Sequence, residues 1–514
     1  MAESTKGRNA FRRQAGLPVS PRYPALLQIN ARVWLRRLSD LAGRRIDLDR
    51  VPDREINAWA NAGFDWIWLL SAWDTGEIGR TIARSDERLQ EEIHRVLPDW
   101  TEKDLCGSGF AIASYTVSRS LGGASALARF RERLARRGIR LMLDFVSNHT
   151  ALDHPWVREH PAFYVEGEEK DLAREPGNYA RIDTDQGEKI LAHGRDPNFP
   201  GWSDTLQLDY ANPEMRNALT ETLLSVAEQC DGLRCDMAML IVPEVFDRTW
   251  GRAIKPFWPT AIESVRSRHP EFVFLAEVYW DMEWALQRQG FDYCYDKRLY
   301  DRLRTGKARA VCDHLAAGLA YQDRLARFLE NHDEARAAAV FPGAMGKAAA
   351  VATHFAPGLR FFHDGQMLGA TIRIPIQLCR GPDEPTDEAV LSFYRRLLAV
   401  LKDDRFRNGD WQQLKPVSAW PGNPTHADFL AYSWIGTDAS QTLVVVNFSE
   451  HRGQCRIPLP LPEWRNREIL IRDMLGSEGY KRSVAEMRSP GLFIDLPEWG
   501  SNVFDFAKDY GEKM

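Results

Sequence analysis

Cysteine is scarce and shows no pairing pattern. The chain has 7 in 514 residues, an odd number, with no C-x-x-C spacing. Neither a disulfide framework nor a zinc site is expected. Cys235 and Cys294 stand in apolar, strand-like surroundings and read as buried thiols. Long apolar runs are missing too: none approaches the roughly 18 residues that a membrane span needs. The basic start MAESTKGRNAFRRQAG has no apolar stretch behind it. It does not read as a secretory leader, and residues 1–22 read as a flexible tail. An excess of positive charge is also lacking. The formal net charge is -5, which gives no electrostatic case for nucleic acid or an anionic membrane. With no repeats or low-complexity segments either, a cytoplasmic globular protein is expected.

What the chain does have is length and rhythm. It is long enough for one large α/β barrel with satellites. Hydrophobic residues at 44% and charged ones at 27% are ordinary for a globular protein. The 17 Trp are generous; such residues stack on flat ligands, sugars included, and also fill large cores. Eight short apolar runs read as strands: PALLQINARVWL, GFDWIWLL, GIRLMLDFV, DGLRCD, FVFLAEV, FDYCYD, LARFLENHD and GLRFFHDG. Between most of them lie amphipathic stretches such as MRNALTETLLSVAEQC, where Leu219, Leu223, Val226 and Ala227 recur at helical spacing. Alternating strands and helices predict a parallel sheet. Eight strands predict a closed (β/α)8 TIM barrel over residues 23–150 and 206–409.

Two places break the rhythm. Residues 151–205 are rich in Pro, Gly, Asp and aromatics, too long a stretch for a structureless loop. They predict a small subdomain inserted after strand three. Beyond residue 409 come FLAYSWIG, TLVVVNFS, CRIPLPL and REILIRDML, short strands with no helix between them. They predict an antiparallel β-sandwich over residues 410–514.

Parallel barrels carry their chemistry at the C-terminal ends of the strands. Strand three ends with Asp144, Asn148 and His149. Strand four ends with Arg234 and Asp236, whose spacing puts both side chains on one face. Glu277 stands where strand five runs out, and strand seven leads into Asn331, His332 and Asp333. A single Asp after a strand is most often a helix cap, but capping explains neither the Arg, the His pair nor the Glu. Asp236, Glu277 and Asp333 thus converge on one mouth. Two carboxyl groups about 5 Å apart suit a retaining glycosidase, one ionised as nucleophile and one protonated as acid. Arg234 would keep Asp236 charged.

These segments resemble the four signature regions of the α-amylase family of retaining glycoside hydrolases, glycoside hydrolase family 13. DFVSNH matches D-x-x-x-N-H, GLRCD matches G-[FL]-R-x-D, the Glu277 strand matches the third region, and ENHD matches the fourth. The resemblance covers most of the chain. It implies Asp236 as nucleophile, Glu277 as general acid/base and Asp333 as the acid that grips sugar hydroxyls. It implies His149 and His332 as sugar ligands, Arg234 as orienter of the nucleophile and Asp144 as its support. The implied substrate is an α-linked glucose oligosaccharide or polysaccharide.

The chain departs from the family pattern in four places. In GFAIASY, Phe110 stands where the family often has a stacking Tyr. After Asp236 comes MAML, Met237–Leu240, in place of the A-K-H that contacts the acceptor sugar. Gln207 falls at the family's calcium-binding Asp, while Asn148, the other usual ligand, remains. A hard cation favours carboxylate and carbonyl oxygens, so no metal or other cofactor is expected. The loop after strand two is long and is expected to wall the substrate. Arg336, three residues past Asp333, is a further binding candidate. Three functions remain open on this reading: hydrolysis of α-1,4-glucans or maltooligosaccharides, transglycosylation or trehalose-type isomerisation on the same scaffold, and non-catalytic sugar binding.

Overall fold

The computed structural model describes residues 20–461 and 468–506. The expected N-terminal tail lies, up to residue 19, outside them. Eight strands form a closed barrel: β1 (Ala25–Asn30), β2 (Trp66–Leu70), β3 (Arg140–Val146), β4 (Gly232–Asp236), β5 (Val273–Ala276), β6 (Tyr293–Tyr295), β7 (Leu325–Arg327) and β8 (Leu359–His363). Each pairs in parallel with its sequence neighbour, and β1 closes on β8. All eight come from the runs read as strands. The runs are apolar throughout because both faces are covered: every residue of WIWLL in β2 is buried.

Element ends differ from the reading in ways that local chemistry explains. The first apolar run extends to Leu35, yet Asn30 ends the strand. Its side chain caps a helix over Ala31–Ala42 by accepting from the N–H groups of Arg32 and Val33. Strand β7 is short, so Asn331–Asp333 stand in the connection beyond it rather than on its end. The long segment after β2 is not a plain loop. It holds helices over Glu77–Ser85 and Glu87–Val96. These bury a small core of their own, made of Ala83, Ile93, Leu97 and Leu105 with Leu378 from the segment after β8.

After β3 the chain leaves the barrel through His149–Ala151 and returns through Thr205–Gln207, and these two strands pair antiparallel. Between them stand short helices and a hairpin of Tyr179–Thr184 with Gly187–Ala192. At the C-terminus a six-stranded antiparallel sheet faces a three-stranded one. The alternation of the six-stranded sheet is informative. Phe429, Ala431, Leu443 and Val445 point into the core between the sheets, while Leu430, Tyr432, Val444 and Val446 join the barrel's core. Both faces of this sheet are therefore buried, which is why TLVVVN reads as an unbroken apolar run. Among the described residues no helix is long and apolar enough to cross a membrane.

Candidate active site

Arg234 organises the barrel mouth. It points inward from β4 and is 1% exposed. Its Nη1 lies 2.7 Å from Asp236 Oδ1 and its Nη2 lies 2.7 Å from Glu277 Oε2. Asp144 Oδ1, on the paired β3, is 3.8 Å from Nη1. The Nε donates to the Tyr295 hydroxyl at 3.3 Å. The guanidinium also lies over three rings, Phe110 at 5.0 Å, Trp68 at 5.2 Å and Tyr295 at 5.8 Å. Burial works against this cation, but Glu277, Tyr295, Asp236 and Asp144 outweigh it and raise its pKa well above the ordinary value. Arg234 therefore stays charged, which a buried carboxylate cluster requires.

Glu277 differs from Asp236 in its surroundings. Its Oε2 also accepts the Met237 N–H at 2.7 Å, and its Oε1 accepts the Tyr279 hydroxyl at 2.9 Å. Met237 adopts a left-handed backbone, φ 42 and ψ 44, immediately after Asp236. For a residue with a long side chain that is strained, and it aims the N–H at Glu277. Burial raises the Glu277 carboxyl to about 8, with Asp236 and Asp333 adding and Arg234 opposing. Two carboxyl groups that share one cation thus sit in unlike environments: Glu277 also meets the Met237 N–H and the Tyr279 hydroxyl.

Asp333 opens toward the mouth, with its side chain 49% exposed. Its Oδ2 lies 3.0 Å from His332 Nε2. On the other side of that ring, Gln28 Nε2 donates to Nδ1 at 2.8 Å. Burial, then Arg234, lowers His332 well below the usual histidine range. The ring is neutral, with Nδ1 accepting and the proton on Nε2, which lies near Asp333 without a hydrogen bond to it. His149 is buried beside the Trp202 ring at 5.2 Å, and burial lowers it too. Phe110 is half-buried, its ring 5.2 Å from His332. Burial raises Asp144 to about 7; Trp68 Nε1 donates to it at 3.1 Å.

Asp144, His149, Arg234, Asp236, Glu277, His332, Asp333 and Phe110 therefore surround one mouth. Arg336 lies a layer behind it. It is buried and engaged by Glu330 at 3.1 Å, His363 at 2.9 Å and the Asp364 carbonyl at 2.8 Å. Four partners of the site are not among the residues that the sequence pattern singles out: Gln28, Trp68, Tyr279 and Tyr295. Gln28 had one available clue, a lone polar residue inside the apolar strand ALLQIN.

A profile of the alpha-amylase family, described as the alpha amylase catalytic domain, matches residues 102–414. The chain belongs to the alpha-amylase family. It is similar to the alpha-amylase MalA of Haloarcula japonica, 24% identical over 370 residues, covering 70% of this chain and 50% of that protein. It is also similar to alpha-amylase 3 of Dictyoglomus thermophilum, 22% identical over 294 residues, covering 53% of this chain and 56% of that protein. The chain thus spans about half the length of the curated relatives it matches. Among solved structures it shares its fold with the maltogenic alpha-amylase AmyB of Thermotoga neapolitana. The TM-score is 0.68 at 19% identity, covering 95% of this chain and 99% of that one.

The calcium site implied by the alpha-amylase family does not fit the residues present. Gln207 is fully buried and its Nε2 donates to Asn148 Oδ1 and to the Asn148 carbonyl, both at 3.0 Å, and to the Leu208 carbonyl at 3.1 Å. An amide N–H2 stands at the centre of three oxygens, where a cation would stand.

Proposed function

We propose that this alpha-amylase-family chain is a retaining α-glucoside hydrolase acting on α-1,4-glucans or maltooligosaccharides. The observation that carries the reading is the Arg234 bridge, 2.7 Å to Asp236 and 2.7 Å to Glu277. Asp236, hydrogen-bonded to the Arg234 cation, attacks the anomeric carbon, while Glu277, raised to about 8, protonates the leaving oxygen. The glycosyl group is then carried on Asp236. Glu277, now deprotonated, takes a proton from water as the water attacks the same carbon, and a second inversion restores the starting configuration. His332 and Asp333 bind sugar hydroxyls from one side and His149 from the other, and Phe110 stacks on the ring face. Remote binding of this kind helps distort the ring toward the transition state. The test is reducing-sugar release from a panel of α-glucans by wild type and Asp236→Asn. Equal release by both sinks the reading.

Transfer to a sugar hydroxyl is a second reading, and the stretch after Asp236 favours it. Ala238, Met239, Leu240 and Ile241 are buried, so this stretch offers the acceptor side no cation, and only half-buried Met237 remains near the mouth. A less polar acceptor side disfavours water. Chromatography of products at high sugar concentration separates the two readings: hydrolysis products alone exclude transfer.

A further inference from the structure

The segment after β2 and the segment after β8 cross at one isolated antiparallel bridge, Leu105 with Leu378. The Cys106 N–H donates to the Gln377 carbonyl at 2.7 Å, and the Cys379 N–H donates to the Asp104 carbonyl at 2.8 Å. Leu105 and Leu378 point into the small satellite core. Cys106 and Cys379 each follow a bridge residue, so both side chains emerge on the opposite, common face. There each thiol acts on the other's titration, while the Cys379 S–H donates to the Lys103 carbonyl at 3.4 Å. Both are half-buried, and neither is in a disulfide. The crossing is clamped by Arg380, which pairs with Asp104 at 3.1 Å and with Asp99 at 3.2 Å.

We propose that Cys106 and Cys379 form a redox-active dithiol that a peroxide oxidises to a disulfide, tying these two segments together. The surroundings assign the roles. The neighbouring Cys379 thiol lowers the Cys106 thiol, and Arg32 and Arg80 add to that against burial. Arg32 is fixed beside it by the Gly107 carbonyl at 3.0 Å and Thr75 Oγ1 at 2.9 Å. Cys106 is thus the thiolate that reacts first. Its sulfur attacks a peroxide oxygen, the O–O bond breaks, and the departing hydroxide takes a proton, leaving a sulfenic acid on Cys106. Cys379 then loses its proton and attacks that sulfur. The S–S bond forms, the S–O bond breaks, and the second hydroxide leaves as water. Two thiols and one hydrogen peroxide become one disulfide and two waters.

Diagonal neighbours on an antiparallel pair stand about 7–8 Å apart at Cα, beyond what a relaxed disulfide spans, so the bond forms only as the two segments draw together by about 1 Å. The crossing is a single bridge with two backbone hydrogen bonds and no longer ladder, so closing by that margin takes only a local shift of the two segments. A bond formed under such constraint is readily reduced, which suits a reversible site. Its place in the fold gives it reach. The Cys379 segment also carries Arg373, which pairs with Glu92 and whose charge acts on Asp333 and His332.

The experiment uses the full chain, fully reduced, then treated with hydrogen peroxide and quenched with an alkylating reagent. A non-reducing digest is read by mass spectrometry. The expected result is loss of 2 of the 7 thiols, one linked peptide joining Cys106 to Cys379, and recovery of both thiols on dithiothreitol. Cys379→Ser should leave Cys106 as an unlinked sulfenic acid that a dimedone probe traps. Cys312, also half-buried but without a thiol partner, is the internal control. Seven alkylated thiols after peroxide overturn the proposal, and so does a linkage through any other cysteine.

Discussion

Arg234 Nη2 stands 2.7 Å from Glu277 Oε2, while Nη1 of the same group stands 2.7 Å from Asp236 Oδ1. One planar cation therefore serves both carboxylates, which a point charge on a flexible stem cannot do at the same geometry. Arg234→Met should leave two buried acids without a counter-charge. Breaking a buried pair in this way costs about 3–5 kcal/mol, to be seen as a lower urea midpoint. Arg234→Lys should keep more of the stability and still lose turnover by about 10²-fold or more. A lysine variant with wild-type turnover on maltooligosaccharides would contradict the bridging role.

The Glu277 carboxyl, raised to about 8 chiefly by burial, sets a sign for pH. A general acid works protonated, so kcat/KM should fall as pH rises through about 8. Stability runs the same way. A carboxyl raised from its ordinary 4.5 binds more protons folded than unfolded. Its contribution is complete below about 4.5 and is lost as pH climbs to about 8. Asp144, raised by burial to about 7, acts in the same direction. Glu277→Gln should abolish most activity and flatten the stability profile between those pH values, measured by urea unfolding at a series of pH values.

The barrel and its acids were legible because each charged residue interrupts an apolar run at a strand end. Arg234, Asp236 and Glu277 have no structural reason to be there unless they are used. The partners that hold them were not legible. Trp68 and Tyr295 look like core aromatics in their strands, and only the closed barrel reveals that both face Arg234. Arg336 is the opposite case: its nearness to Asp333 in sequence pointed at substrate, yet the turn after Asp333 aims it back at Glu330 and His363. The helices over 77–96 are not legible in the sequence because their small core is completed by Leu378, from the far end of the barrel.

Gln28 gives a test of the histidine arrangement. Its donation to His332 Nδ1 at 2.8 Å fixes Nε2 as the ring nitrogen that carries the proton. Gln28→Leu removes the donor and leaves the ring free to adopt the other tautomer. A buried hydrogen bond lost in this way is worth about 1–3 kcal/mol, or roughly 5- to 150-fold in kcat/KM. The loss should fall on sugar binding and catalysis together, with the circular-dichroism spectrum unchanged. An unchanged kcat/KM would show that His332 does not depend on Gln28.

Gln207 makes a prediction about metal. Its side-chain amide already satisfies Asn148 Oδ1 and the carbonyls of Asn148 and Leu208, next to the strand Thr205–Gln207 that returns the inserted subdomain to the barrel. A strong chelator should therefore leave the melting temperature and turnover of the wild type unchanged. Gln207→Asp should reverse this. The shorter carboxylate loses the donor and faces the same three oxygens, so the variant should melt several degrees lower in chelator. Those oxygens plus one carboxylate form the hard-donor set that calcium prefers, so added calcium should raise the variant's melting temperature and leave the wild type's unmoved. A wild type that melts lower in chelator would show that the amide does not stand in for a cation.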